Sequence, residues 1–280
     1  MRYKPMLAYP VSDKPIDYSK PVFMQPKLDG VRCLIQYDNG KVTAYSRTGK
    51  QWLNIEHITE SLQKWFKSNT TTVLDGELYN HDFRDDFESI ISMVRKTKPT
   101  DEDKLKSAEN VQFHCYDIIH PDRSLFADRI SFINHCLHET DYVKVVPTTR
   151  VYKHEEALNM HNDAFLANGY EGSILRTNDE YQCKRTHSLR KFKDFSDAEA
   201  LIVGWVEGVG KRKGTIGKFM AQDEDGNLFG MPVMDKFKYL QDNFKKMQGY
   251  VGKTATFTYF ERTKANSYRH PLFKCIRDYE

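Results

Sequence analysis

The sequence predicts an α+β domain with antiparallel sheets over residues 1–195, followed by a small all-β domain over residues 196–280. Three observations predict it. As far as Phe192, short β-rich runs alternate with helix-spaced runs, with hairpin signals between them. Beyond Phe195–Asp197 the chain reads as short strands interrupted by a single helix. The 39% hydrophobic and 29% charged residues in 280 are ordinary for a globular chain and sufficient for two modest cores.

Taken in order, residues 1–22 are polar and proline-punctuated, which predicts an irregular lead-in anchored at Pro5–Leu7. Val31–Tyr37 alternates, Asn39-Gly40 is a hairpin turn pair, and Lys41–Ser46 returns as the second strand. Ile58, Leu62 and Trp65/Phe66 give Glu56–Phe66 helical spacing; Val73–Tyr79 is a strand and Asp86–Val94 a helix. Arg95–Glu109 is polar and lysine-rich, which predicts a mobile loop. A buried strand at Val111–Ile119, a helix at Leu125–His138, a strand at Tyr142–Thr148 and a helix at His154–Asn168 capped by Gly169 follow. Glu171–Arg176 and Ser188–Phe192 complete the first domain. In the second, Ala198–Val206, Ile216–Gln222, Leu228–Val233, Thr254–Tyr259 and Leu272–Arg277 are strands, and Lys236–Met247 is a helix. Five strands and one helix in about 85 residues predict a closed barrel of the oligonucleotide-binding type (OB-fold).

The net charge is only +3, but Lys184–Lys193 and Lys211–Lys218 are strongly basic and Asp82–Glu88 is acidic, so positive charge is concentrated rather than spread. Five cysteines stand singly, which argues against zinc and disulfide frameworks and fits a reducing compartment. His135-Cys136-Leu137-His138 lacks further ligands and reads as helix packing. No apolar run approaches the roughly 20 residues of a membrane helix, and MRYKPMLAYP lacks the apolar core of a signal peptide, so an intracellular location is expected; nothing in the sequence suggests more than a monomer.

The chemistry is predicted at Phe23–Ile35, where Lys27, Asp29, Gly30 and Arg32 sit between two strand-like runs. A lysine amine attacks only when neutral, and roughly 1 in 2,500 is neutral at pH 7 without help, so a nucleophilic Lys27 needs nearby cations or a metal. By itself KxDGxR is equally a charged hairpin.

Further motifs decide between these. Lys27-Leu28-Asp29-Gly30-Val31-Arg32, Ser46-Arg47-Thr48-Gly49-Lys50, Leu74-Asp75-Gly76-Glu77-Leu78, Tyr116-Asp117, Tyr170-Glu171-Gly172-Ser173-Ile174-Leu175-Arg176 and Leu189-Arg190-Lys191-Phe192-Lys193 follow one another in the order and rough spacing of the covalent nucleotidyltransferases. Together with Pro5-Met6-Leu7-Ala8, they make the chain resemble compact ATP-dependent DNA ligases of the viral or phage kind, from about residue 4 to the C-terminus.

The resemblance implies three in-line displacements at phosphorus: a lysine takes AMP from ATP, passes it to a 5′-phosphate at a nick in duplex DNA, and the 3′-hydroxyl displaces it. It makes Lys27 the nucleophile, sets Lys191 and Lys193 against the α-phosphate, and gives Asp29 the motif turn and support of Arg32. Lysines alternating around Phe192 share one strand face. Glu77 and Glu171, hard oxygen donors, would hold Mg²⁺ or Mn²⁺, with Glu77 also near the ribose. Tyr116 would stack on adenine, Arg32 reach the ribose and Arg47 the nick phosphate. Gln25 stands where many relatives carry a glutamate that reads the adenine amino group; its oxygen can still accept that bond. Without the resemblance, Glu77 and Glu171 are edge-strand carboxylates, Tyr116 a core tyrosine, and Arg176 a phosphate ligand or a surface pair.

In the second domain the glycine-spaced basic run Glu207–Phe219 fits neither a Walker A nor a dinucleotide fingerprint. Its Lys211, Arg212, Lys213 and Lys218 are candidates to track a DNA backbone. Arg269, Lys274 and Arg277 resemble the family's last motif, which orients pyrophosphate, and a hinge is expected near Phe195. The alternatives are an mRNA-capping guanylyltransferase or an RNA ligase of the same superfamily, and, outside enzymes, a nucleic-acid-binding barrel fused to a decayed domain.

Overall fold

Leu28–Gly30 is the crossing point of the first unit's two sheets, and the fold around it explains why the nucleophile candidate lies there. In the computed structural model, residues 3–84, 86–192, 196–259, 262 and 266–277 are described, and the chain divides into two units, Met1–Lys193 and Asp194–Glu280. Lys193 and Phe195, and with Phe195 the expected hinge, lie outside the described residues.

The strands of the first unit are β1 (Leu7–Pro10), β2 (Val22–Lys27), β3 (Val31–Asp38), β4 (Lys41–Ser46), β5 (Val73–Tyr79), β6 (Gln112–Ile119), β7 (Val143–Val145), β8 (Thr149–Val151), β9 (Gly172–Thr177) and β10 (Arg185–Phe192). One sheet runs β1-β10-β9-β2-β8 and the other β4-β3-β5-β6-β7. Pairing is antiparallel except between β1 and β10 and between β6 and β7. The β3–β4 hairpin turns at Asn39 and Gly40, both at positive φ, as the Asn-Gly pair predicts. Gly30 is required by crowding: a Cβ there would meet the Leu78 carbonyl oxygen at 2.4 Å.

Five helices, α1 (Glu56–Ser61), α2 (Gln63–Lys67), α3 (Phe87–Val94), α4 (Asp101–Asn110) and α5 (Phe126–Cys136), accompany the second sheet. Ile58, Phe66, Ile90, Phe126 and Ile133 from these helices share a core with Ile35, Leu74, Phe113 and Ile118 of the sheet. A sixth helix, α6 (His154–Asn159), continues into a π-helical turn, Met160–Phe165, and ends at left-handed Gly169. Ala157 and Phe165 pack with Val22, Met24 and Leu175 of the first sheet.

Several expectations change. Arg95–Glu109 is not a loop throughout, because Thr100 and Asp103 form a reciprocal capping box that starts α4, and Ser107 is buried with its hydroxyl on the Asn54 carbonyl. The lead-in is regular at Leu7–Pro10, where β1 joins β10. The helix expected at Lys236–Met247 is two, α7 (Phe237–Asp242) and α8 (Phe244–Gln248), broken at Asn243, whose side-chain amide donates to the Tyr239 carbonyl.

The second unit is one antiparallel sheet of β11 (Ser196–Glu207), β12 (Ile216–Gln222), β13 (Leu228–Pro232), β14 (Thr254–Tyr259) and β15 (Leu272–Ile276), in the order β13-β12-β11-β14-β15. Ile202, Phe219, Met231 and Phe257 form its core with Leu240 and Met247 from the two helices. Among the described residues no ladder joins β13 to β15, so the sheet is open where a closed barrel was expected. Pro232 ends β13 without an N–H to extend the pairing. No helix among the described residues is long and apolar enough to cross a membrane.

Candidate active site

A cavity of about 270 Å³ takes its walls from both sheets of the first unit: Gln25, Lys27, Ile174, Arg176 and Lys191 from one, Arg32, Glu77 and Tyr116 from the other. Lys27 ends β2 opposite Gly172, and the Glu171 N–H donates to the Lys27 carbonyl at 3.1 Å. That register sets the two side chains together, and Lys27 Nζ is ion-paired with Glu171, whose side chain is 5% exposed. Ile174 pairs with Gln25 on one side and Lys191 on the other, so Gln25 and Lys191 share a row of the sheet with it. Burial, and after it the charges of Lys27 and Arg185, hold the Lys191 amine below the ordinary lysine range, with Glu171 opposing them. Asp29 lies half-buried in the crossing turn, and Arg47 is exposed at the cavity rim.

On the second sheet Arg32 lies across from Glu77. Its guanidinium forks onto buried Asp75 and also donates to the Met6 carbonyl at 3.2 Å. The Tyr181 hydroxyl donates to the same Asp75 at 2.6 Å and accepts from the Met6 N–H at 2.9 Å, tying the lead-in to the cavity wall. Burial pushes the Glu77 carboxyl up to about 7, against the pull of Arg32, Lys27 and the Tyr116 hydroxyl, which donates to it at 3.2 Å. The Tyr116 ring has Arg32 at 5.1 Å and Arg176 at 5.5 Å from its centroid, within cation–π range.

Gln25 is held on three sides. Its amide donates to the Tyr116 carbonyl at 3.0 Å and the Thr148 hydroxyl at 2.8 Å, and its oxygen accepts from Arg176 Nε at 2.7 Å. Both N–H groups are therefore spent, and the oxygen keeps one lone pair. Arg176 is no surface pair: it is 3% exposed and bonds Asp117 at 2.6 Å, and Asp117 also takes Arg129 Nε at 2.7 Å. Asp75, Asp117, Arg129, Tyr181 and Arg185 are contributors that the sequence reading did not assign. Asp75 and Asp117 stood inside motifs already quoted, and Arg185 inside the basic run Lys184–Lys193.

The ATP dependent DNA ligase domain family model matches residues 5–193. The chain belongs to the ATP-dependent DNA ligase family. It is similar to the DNA ligase of African swine fever virus (isolate Tick/South Africa/Pretoriuskop Pr4/1996), 29% identical over 206 residues, covering 69% of this chain and 46% of that protein. The chain thus spans between about a third and a half of the length of the curated relatives it matches. A structure from a structure-function analysis of Lig E DNA ligases has a TM-score of 0.75 at 24% identity, covering 99% of this chain and 100% of that one. The bacteriophage T7 ATP-dependent DNA ligase in complex with ATP has a TM-score of 0.54 at 18% identity, covering 98% of each. At these identities the two solved structures show a shared fold.

Within this ligase-family chain, no group of three or more His, Cys, Asp or Glu is placed to hold a metal among the described residues. Glu77 and Glu171 fit a different kind of site, one in which one or two carboxylates hold a hard cation and water and substrate oxygens complete the shell. In the second unit, Gly210–Arg212 forms a turn in which the Arg212 guanidinium donates to the Val233 carbonyl at 2.9 Å. Lys211, Lys213 and Lys218 are exposed and make no ion pair among the described residues. On the last strand Lys274 pairs with Asp197 at 2.6 Å, and just beyond it Arg277 pairs with Glu199.

Proposed function

We propose that this chain is an ATP-dependent DNA ligase that seals 5′-phosphate/3′-hydroxyl nicks in duplex DNA through AMP carried on Lys27 and then on the DNA. The observation that carries the reading is Lys27 at the junction of two sheets, paired with Glu171 and facing a cavity lined by Lys191, Arg32, Arg47 and Arg176. So many cations around one small cavity suit a triphosphate.

In this reading Lys27 Nζ attacks the α-phosphorus, the N–P bond forms as the bond to pyrophosphate breaks, and Glu171 Oε2 is the atom placed to receive the amine's proton. Lys191, and Lys193 beside it in sequence, neutralise the α-phosphate. Arg32, fixed by Asp75, reaches the ribose; Tyr116 stacks on the base; the remaining lone pair of Gln25 accepts from the adenine amino group. Asp29 holds the crossing turn. Glu77 and Glu171 would hold Mg²⁺ or Mn²⁺, which when bound supplies charge neutralisation to the phosphates. Arg47 meets the nick phosphate, Lys211, Arg212, Lys213 and Lys218 follow the DNA backbone, and Arg277 orients pyrophosphate. Residues 1–195 form the adenylation domain. Residues 196–280 form an OB-type domain, supported by the twelve-residue β11, whose register shifts allow it to coil between β12 and β14. The enzyme acts as an intracellular monomer.

The test incubates the chain with α-labelled ATP or GTP and magnesium, then chases with nicked duplex. ATP label on the protein that moves to DNA is expected. GTP label instead identifies a guanylyltransferase, and label that never leaves the protein rules out a ligase.

A further inference from the structure

The back of the first sheet carries an apolar cluster. Val22, Met24, Val151, Phe165 and Leu175 pack there. Among the buried residues of this sheet is the fully buried Ser173, whose Oγ shares a 2.6 Å hydrogen bond with Nδ1 of His161, itself 2% exposed. His161 comes from the π-helical turn Met160–Phe165, and single wide turns of this kind are found disproportionately at functional sites. Its ring also stands 5.0 Å from that of Phe192.

The strand register gives this contact its meaning. Ser173 lies opposite Pro26 on one side and Phe192 on the other, so it is flanked by the immediate neighbours of Lys27 and Lys191, two residues beyond Glu171. His161 therefore touches β9 and β10 at the row that lies between the one ending in Lys27 and the one carrying Lys191. An apolar pair would bind the layers together equally well, but without direction. A buried hydrogen bond has one preferred distance and angle, and either partner left alone is costly.

We infer that His161 is a positioning residue: through Ser173 and Phe192 it fixes the setting of β9 and β10, and so the distance of Lys27 and Glu171 from Lys191. The inference rests on the reading of Lys27 as the nucleophile. Because it concerns geometry at the reacting atoms, its loss slows attack more than it weakens nucleotide binding.

The experiment measures single-turnover transfer of AMP from ATP to the full chain with magnesium, over a range of ATP concentrations. Ser173→Ala and His161→Leu are expected to slow transfer roughly 10- to 100-fold while the half-saturating ATP concentration stays within about threefold. His161→Gln, whose amide can still meet the serine hydroxyl, recovers most of the rate. The double variant His161→Leu/Ser173→Ala is no slower than the worse single one, as expected of two groups acting through one bond. Phe165→Leu loosens the same face without touching the pair. If it slows transfer as much as Ser173→Ala at equal loss of thermal stability, the role is merely structural and the inference falls. Normal rates in both single variants overturn it as well, while the ligase reading stands. A wild-type chain that takes no AMP onto Lys27 overturns the ligase reading and this inference with it.

Discussion

In the first unit two of the arginines bordering the cavity are gripped by buried carboxylates, Arg32 by Asp75 and Arg176 by Asp117, which Arg129 also holds. In the second unit Lys211, Lys213 and Lys218 stand in solvent and make no ion pair among the described residues. The same charge is used in two ways. Gripped guanidinium groups are immobile and can meet one small anion in one pose, which bond-making at phosphorus requires. Loose lysines on an exposed face cannot fix a pose, but they can neutralise successive phosphates of a polymer whatever its sequence.

The comparison breaks most severely if Asp117 can be lost cheaply. Asp117→Ala leaves two buried guanidinium groups without their carboxylate, and a stability loss of about 3–5 kcal/mol is expected from urea unfolding. A loss under about 1 kcal/mol would mean that the arginines are not held as described. Next, replacing Lys211, Lys213 and Lys218 together by alanine should weaken nicked-duplex binding and flatten its dependence on salt, by a slope of about 0.9 for each phosphate contact removed. AMP transfer to the protein at fixed ATP should be little changed; a comparable fall there would place these lysines at the nucleotide instead.

Acid sharpens the contrast, since titration of a buried group is coupled to folding. Burial first, then the charges of Lys144 and His81, push the His114 imidazole down from 6.5 to about 4. Below pH 6.5 the unfolded chain takes up a proton that the folded chain refuses, so the stability present above that pH is lost as pH falls from 6.5 toward 4. His114→Gln should therefore show a smaller drop in urea midpoint between pH 7 and 5 than the wild type, and an equal drop would contradict the assignment. The smallest effect is expected at the exposed Lys274–Asp197 pair, where Lys274→Ala should leave the urea midpoint at pH 7 almost where it is in the wild type.

What was legible in the sequence was what short stretches encode. The Asn39-Gly40 hairpin, the strand Val73–Tyr79 and the lysine at the end of β2 are each fixed within a few residues, and the order of the motifs announced the family. The grip on the cavity was not legible, because it joins residues far apart: Asp75 lies 43 residues from Arg32, and Asp117 lies 59 from Arg176. A motif names Asp75 or Asp117 without naming its partner. Composition misled at α4, where a polar, lysine-rich run concealed the Thr100–Asp103 capping box. The open second sheet was missed for another reason: counting strands gives their number but not the pairing of the two edges.

The central claim is that a single amine, placed where the two sheets of the first unit meet, carries the nucleotide. Peptide mapping by mass spectrometry after incubation with ATP and magnesium tests it most directly. AMP on Lys27 in the wild type, and on no residue of Lys27→Ala, is the predicted result. AMP on any other side chain, or nick sealing by Lys27→Ala, would contradict it.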